Sequence, residues 1–199
     1  EHFFAVMQTF DEPYYWIPGN HDKISAAESV AGGKPFQRSV EIDKWQLIFL
    51  DSVIPRSPDG QLGPEELSAL EESLEKSTSA NIAVFLHHHP VEINCAWLDQ
   101  QRVKDSDEFF AILDKYPNVR AVFWGHIHQE FNGKHGEILL HSCPSTCIQF
   151  LPNSDDFALD TRHPGYRVIE LNDDGSLNTY IERVEILDMG VDENCLGYE

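Results

Sequence analysis

Three short words in this chain, Gly19-Asn20-His21-Asp22, His87-His88-His89-Pro90 and Gly125-His126-Ile127-His128, bring together one amide and six imidazoles. Asparagine oxygen and neutral imidazole nitrogen are donors that suit a borderline transition-metal ion. A histidine beside such an ion can also carry a proton. Each word follows an apolar run that reads as a buried strand: Tyr14 to Ile17, Ile82 to Leu86 and Val119 to Trp124. Open α/β sheets gather ligands at the carboxyl ends of their strands. The three words are therefore expected to converge on one edge of one sheet.

Spacing suggests how each word works. In an extended segment, residues two apart point the same way, so His126 and His128 should face one site while Ile127 packs behind. Pro90 holds His89 extended, which puts His87 and His89 on one face and His88 on the other. His87 follows its apolar run directly and is the stronger ligand candidate; His88 and His89 are expected to bond within the loop. Asn20 offers a neutral oxygen, and His21, aimed differently, can donate a proton. Each word has a plainer explanation: a surface histidine pair, a surface histidine run, or an Asn-led turn that opens a helix. Their joint placement at strand ends favours the metal site.

The elements that would position these words alternate. Residues 1–10 read as the end of a helix and 23–34 as a segment holding a short one. Trp45 to Leu50 reads as a strand, and Pro55 to Gly63 as loop. Pro64-Glu65-Glu66 makes a good helix start, since proline suits the first turn and acids suit the positive end of the dipole. Leu67, Leu70 and Leu74 then share one face. Pro90 to Gln101 reads as a long loop. Phe109, Ile112 and Leu113 mark a helix that Pro117 stops. Asn132-Gly133 and Asp174-Gly175 read as hairpin turns. Residues 1–187 are expected to form a single domain, with 188–199 an acidic tail. Alternating strands and helices followed by tight turns imply a β-sandwich flanked by helices.

Composition narrows the partners. With 34 acidic and 14 basic residues the formal charge is −20, which disfavours nucleic acid and anionic membrane as partners. No stretch is apolar enough to span a bilayer, and no signal peptide is visible, which points to the cytoplasm. Cys95, Cys143, Cys147 and Cys195 form no C-x-x-C pair and read as reduced thiols. Trp97 can stack on a purine or simply pack. Asp51 reads as structural. His2, His135, His141 and His163 lack ligand spacing and are expected to be exposed or locally bonded.

In this order the three words resemble the calcineurin-like metallophosphoesterases, whose signature runs D-x-H, G-D-x-x-D, G-N-H-[D/E], H and G-H-x-H. Trp97-Leu98-Asp99-Gln100, Lys115-Tyr116-Pro117, Pro144-Ser145-Thr146-Cys147 and Pro164-Gly165-Tyr166-Arg167 further resemble bacterial class III cyclic-AMP phosphodiesterases. The resemblance implies an α/β (α+β) fold, a four-layer β-sandwich flanked by helices, here without its N-terminal strand or strands. It implies hydrolysis of 3′,5′-cyclic AMP to 5′-AMP by two metal ions of iron, manganese or zinc. Asn20, His87 and His126 would bind one ion and His128 the other, with the substrate against these residues and His21. His21 would stabilise or protonate the leaving oxygen.

Neither D-x-H nor G-D-x-x-D occurs in the 199 residues. The chain is therefore expected to be a fragment, inactive alone. The alternatives are another phosphodiester or nucleotide hydrolase of the same superfamily, or a truncated product that binds metal or nucleotide without catalysis.

Overall fold

The computed structural model describes residues 2–30, 36–185, 190 and 197. In chain order the elements are α1 (His2–Met7), α2 (Ile24–Val30), β1 (Ser39–Ile42), β2 (Trp45–Phe49), α3 (Gly63–Lys76), β3 (Asn81–Leu86), α4 (Ala96–Asp99), α5 (Ser106–Leu113), β4 (Val119–Trp124), β5 (Asn132–His135), β6 (Ile138–Ser142), β7 (Gln149–Phe150), β8 (Leu159–Asp160), β9 (Gly165–Leu171) and β10 (Leu177–Arg183). Six strands form one mixed sheet in the order β1-β2-β3-β4-β6-β5. The middle four run parallel, and β1 and β5 close the edges antiparallel. Two antiparallel pairs, β9/β10 and β7/β8, lie outside this sheet.

The central strands are apolar throughout because both their faces are covered. In β3, Ile82, Val84 and Leu86 enter one core cluster, which Leu70 and Leu74 of α3 and Phe109 and Leu113 of α5 complete. Ala83 and Phe85 point the other way, into a second cluster with Trp45, Phe49 and Phe123. Ile169, Leu171 and Leu177 of the β9/β10 hairpin pack on that second cluster. Helices therefore cover one face of the sheet and a β-hairpin covers the other, the layering of an α/β sandwich.

The α3 start is built partly as the sequence implies. Pro64 occupies the first turn with Glu65 and Glu66. Its free amides are satisfied from a distance: Leu62 N and Gly63 N donate to the two carboxylate oxygens of Asp105, at 2.9 and 2.7 Å. Glu66 is buried, accepts the Asp51 amide at 2.8 Å and pairs with Arg38. Its role exceeds that of a charge in the helix dipole.

Three sequence expectations are corrected here. Tyr14 to Ile17 is not a strand. Among the described residues no strand pairs with it, so its side chains pack instead: Tyr15 stacks on Phe49 at 5.6 Å, and Ile17 joins the same cluster. Asn132-Gly133 is not a turn but the start of β5; the chain reverses at Gly136-Glu137, with Gly136 at φ 54°. Pro90 to Gln101 is not all loop. It contains α4, whose four residues are too few to show a periodicity, and Asp99 fixes the segment by accepting the Ile93 and Cys95 amides at 2.9 and 3.0 Å.

Asp174-Gly175 does mark the β9/β10 turn, with Gly175 at φ 87°. The 188–199 tail lies outside the described residues, apart from residues 190 and 197. Cys95, Cys143 and Cys147 are free thiols; Cys195 is outside the described residues. Among the described residues no helix is long and apolar enough to cross a membrane.

Candidate metal centre

Parallel pairing of β3 with β4 decides where two of the three words meet. Leu86 stands opposite Trp124, the last residue of each strand. The next residues are His87 and Gly125, and Gly125 N donates to His87 O at 3.1 Å. The histidines of both words therefore leave the sheet side by side at its carboxyl edge. The Asn20 word reaches the same place from the other side, where His87 Nε2 donates to Asn20 Oδ1 at 2.9 Å. Its own turn is held by Asp22, whose carboxylate accepts the Gly19 amide at 2.8 Å while its N–H donates to Gly19 O at 2.9 Å.

His126 lies at the middle of the cluster. The rings of His88, His87 and His89 stand 4.6, 5.2 and 5.7 Å from it, centroid to centroid. One ring nitrogen from each of His87, His88 and His126 lies within 4.8 Å of the other two. Among the described residues, His126 Nε2 and His128 Nδ1 are buried without a hydrogen-bond partner, as is His88 Nε2. A buried orphan nitrogen is costly unless something fills it. Neutral nitrogen donors around a shared space fit a transition-metal ion.

The electrostatics agree with that fit. Burial pushes His87 down to about 3, with the adjacent His88 adding to the effect. It pushes His128 down to about 4 and His126 furthest of all. These rings are neutral at physiological pH, with a lone pair available for coordination.

Two geometric expectations change. His126 and His128 do face one cavity, and Ile127 is fully buried behind them. The backbone that achieves this is not extended: both histidines have positive φ, 61° and 49°. A bend in a sparsely populated region, which is retained at functional sites, aims the rings. His88 does not point away from His87 either. The chain leaves the strand after Leu86, so strand alternation stops there. His88 is fully buried inside the cluster, its Nδ1 2.8 Å from Ser52 Oγ, which also accepts the His88 amide at 3.2 Å.

Asn20, His21, His87, His126 and His128 all line one cavity of about 450 Å³. His21 is exposed on its wall. Trp97, Leu98 and Phe150 supply an apolar side. Phe150 stacks on His128 at 4.4 Å, and Trp97 meets Phe150 edge-on at 5.0 Å. The sequence suggests that Ser145 to Phe150 shape the pocket, and Phe150 does line it; sequence reasoning missed Ser52 and Arg56. Ser52 carried a usable signal, since it follows the β2 run at the same sheet edge. Asp51 is structural, its carboxylate accepting the Val53 amide at 2.9 Å. His135 is locally bonded to Asp114, at 3.0 Å. His141 is buried as well as bonded, to Asn132 at 2.8 Å.

The calcineurin-like phosphoesterase model matches residues 1–130, which hold all three words. The chain belongs to the calcineurin-like phosphoesterase family. That is a family of metal-dependent hydrolases, and its relatives are specific. A 3′,5′-cyclic adenosine monophosphate phosphodiesterase CpdA of Vibrio vulnificus is 40% identical over 92% of this chain and 68% of its own length. The protein of the same name from Escherichia coli K12 is 37% identical, over 100% and 73%. A 3′,5′-cyclic-nucleotide phosphodiesterase of Nostoc is 38% identical, over 85% and 65%. Among solved structures, a dimetal phosphatase from Danio rerio superposes with a TM-score of 0.60 at 14% identity, over 92% of this chain and 73% of that one. That likeness establishes the metallophosphoesterase fold.

Gly19 tests the Asn20–His87 contact in this phosphoesterase. A Cβ there would sit 2.7 Å from His87 Cε1 and 3.0 Å from both ring nitrogens. Gly19→Ala is expected to leave the chain folded, because a ring rather than backbone must yield. It should weaken zinc binding about 10- to 100-fold, the usual cost of disturbing a ligand's support. Zinc titration by calorimetry, with thermal unfolding as control, checks this; unchanged affinity would separate His87 from the metal.

Proposed function

We propose that this site hydrolyses 3′,5′-cyclic AMP to 5′-AMP once its ligand set is completed. Asn20, His87 and His126 would hold one metal ion and His128 would contribute to a second. One observation carries the assignment: the three words meet at a single cavity in which buried ring nitrogens of His126 and His128 lack partners. The names of the relatives at 37–40% identity support the cyclic nucleotide as substrate. Nitrogen and amide donors accept iron, manganese or zinc alike. Bound metal would supply Lewis acidity and offset negative charge that builds on the phosphate.

The chain's own residues would do the rest. The buried imidazoles would stay neutral, leaving His126 and His128 each a nitrogen free to coordinate. His21, exposed on the cavity wall, would donate a proton to the departing 3′ oxygen. Trp97 and Phe150 would present an apolar wall to the purine. The three described cysteines are free thiols, which supports a reducing, cytoplasmic setting.

Parallel assays on cyclic AMP, nucleoside monophosphates and an aryl phosphodiester test the substrate. They need a chimaera that also carries D-x-H and G-D-x-x-D. Preference for the aryl ester over cyclic AMP would move the protein to a general phosphodiesterase. In that chimaera His21→Ala should lower kcat about a hundredfold, the scale of general acid catalysis. Metal content should not change. An unaltered kcat removes His21 from the proton transfer.

A further inference from the structure

Arg56 is the single cation among the residues that line the cavity, and that lining carries no carboxylate. The other arginines all have partners: Arg38, Arg102 and Arg162 pair with Glu66, Glu92 and Asp160, while Arg120, Arg167 and Arg183 donate to neutral oxygens, among them Asn81 Oδ1, Ser142 O and His163 O. Arg56 has no hydrogen-bond or ion-pair partner among the described residues. In a chain of formal charge −20, an unpaired guanidinium at the mouth of a histidine-lined cavity is conspicuous. An anion entering this site against that net charge needs a local positive field.

The backbone at Arg56 adds an independent observation. Ser57 N donates to Ile54 O at 3.0 Å and closes a four-residue turn. Pro55 takes its second position and Arg56 its third, at φ 66°. Proline followed by positive φ is the pattern of a type II turn, whose third position favours glycine. Arginine there is strained, and no hydrogen bond or ion pair of its side chain among the described residues rewards it. Strain of this kind persists where a side chain is needed at a particular place.

We propose that Arg56 binds the phosphate of the nucleotide alongside the metal centre and strengthens the site's preference for an anionic ligand. This rests on the nucleotide assignment above. The guanidinium presents paired N–H donors that match two phosphate oxygens, which an ammonium matches less well. Because Arg56 is exposed, its contribution is screened by salt. The turn's demand for glycine gives the proposal an unusual signature. Removing Arg56 should cost ligand affinity without costing stability.

The test is calorimetric titration of the 199-residue chain with 5′-AMP and with adenosine, with and without added manganese. Thermal unfolding is measured alongside. Arg56→Gln and Arg56→Gly should bind 5′-AMP at least tenfold more weakly than wild type and adenosine equally well. Arg56→Lys should fall between. Arg56→Gly should melt no lower than wild type, and added sodium chloride should weaken 5′-AMP binding to wild type more than to Arg56→Gln. Unchanged 5′-AMP affinity in Arg56→Gly would overturn the inference while leaving the nucleotide site standing. Equal losses for 5′-AMP and adenosine would also overturn it, by making Arg56 a shaper of the cavity. If wild type binds neither compound under either condition, this inference is overturned, whereas the nucleotide assignment is decided by the chimaera.

Discussion

Purified residues 1–199 are expected to hydrolyse 3′,5′-cyclic AMP at least about a thousandfold more slowly than a chimaera in which a family segment carrying D-x-H and G-D-x-x-D precedes Glu1. The reason lies in the ligand inventory. Of the residues the family resemblance assigns to metal, Asn20, His87 and His126 meet at one place, whereas His128 stands alone for the second ion. Paired ions ~3.5–4 Å apart clamp the attacking and leaving oxygens in this chemistry. A carboxylate bridge between them is what the chain's own residues lack. Steady-state assays with added manganese, iron or zinc measure the difference. Rapid metal-dependent turnover by residues 1–199 would mean that His88, already inside the cluster, or some other group substitutes for the absent ligands.

The second large effect concerns acid. Without metal, the native state should lose stability steeply as pH falls from about 6.5. Burial holds His87 and His89 down to about 3, and His88, His128 and His141 down to about 4. In the unfolded chain these rings titrate near about 6.5. Above that pH both states are neutral and the native state keeps its full stability. Below it the unfolded chain binds protons that the folded chain refuses, and stability drains until the folded values are reached. Each such ring costs up to about 1.4 kcal/mol per pH unit. Over the two units below the unfolded value a single such ring would remove up to about 3 kcal/mol by that slope, a large share of the ~5–15 kcal/mol of an ordinary domain.

Urea unfolding in chelator between pH 7.5 and pH 4.5 is the measurement; the range is set by these shifts. His141→Phe isolates one increment. That ring lies 8% exposed outside the metal cluster, stacked on Phe123 at 5.5 Å and pushed down by burial and then by Arg167. Its replacement should flatten the slope by up to about 1.4 kcal/mol per pH unit. A slope unchanged in His141→Phe would mean that His141 takes up a proton in the folded chain as readily as in the unfolded one.

The sequence made the centre of this fold legible because β2, β3 and β4 are buried on two faces and so read as bounded apolar runs. Their carboxyl ends carried the chemistry into view. What failed were inferences that required backbone geometry. Tyr14 to Ile17 has the composition of a strand, but a strand also needs a neighbour. His126 and His128 do share one cavity, but positive φ rather than extension orients them. His88 lies inside the cluster because strand alternation ends with β3 at Leu86. Arg56 was invisible as a site residue: Pro55 announces a turn, yet only the folded chain reveals that the turn opens into the cavity.

The His87–Gly125 contact at the end of the β3/β4 pair has a consequence for engineering and for natural variation. The connection between these strands holds α4 and α5, and its exposed turns can change length while the strand ends stay paired. A single residue inserted within β3 or β4 is different. It would invert the core-facing set and carry His126 out of step with His87. An insertion should therefore be tolerated better in an exposed turn of the connection than anywhere inside β3 or β4.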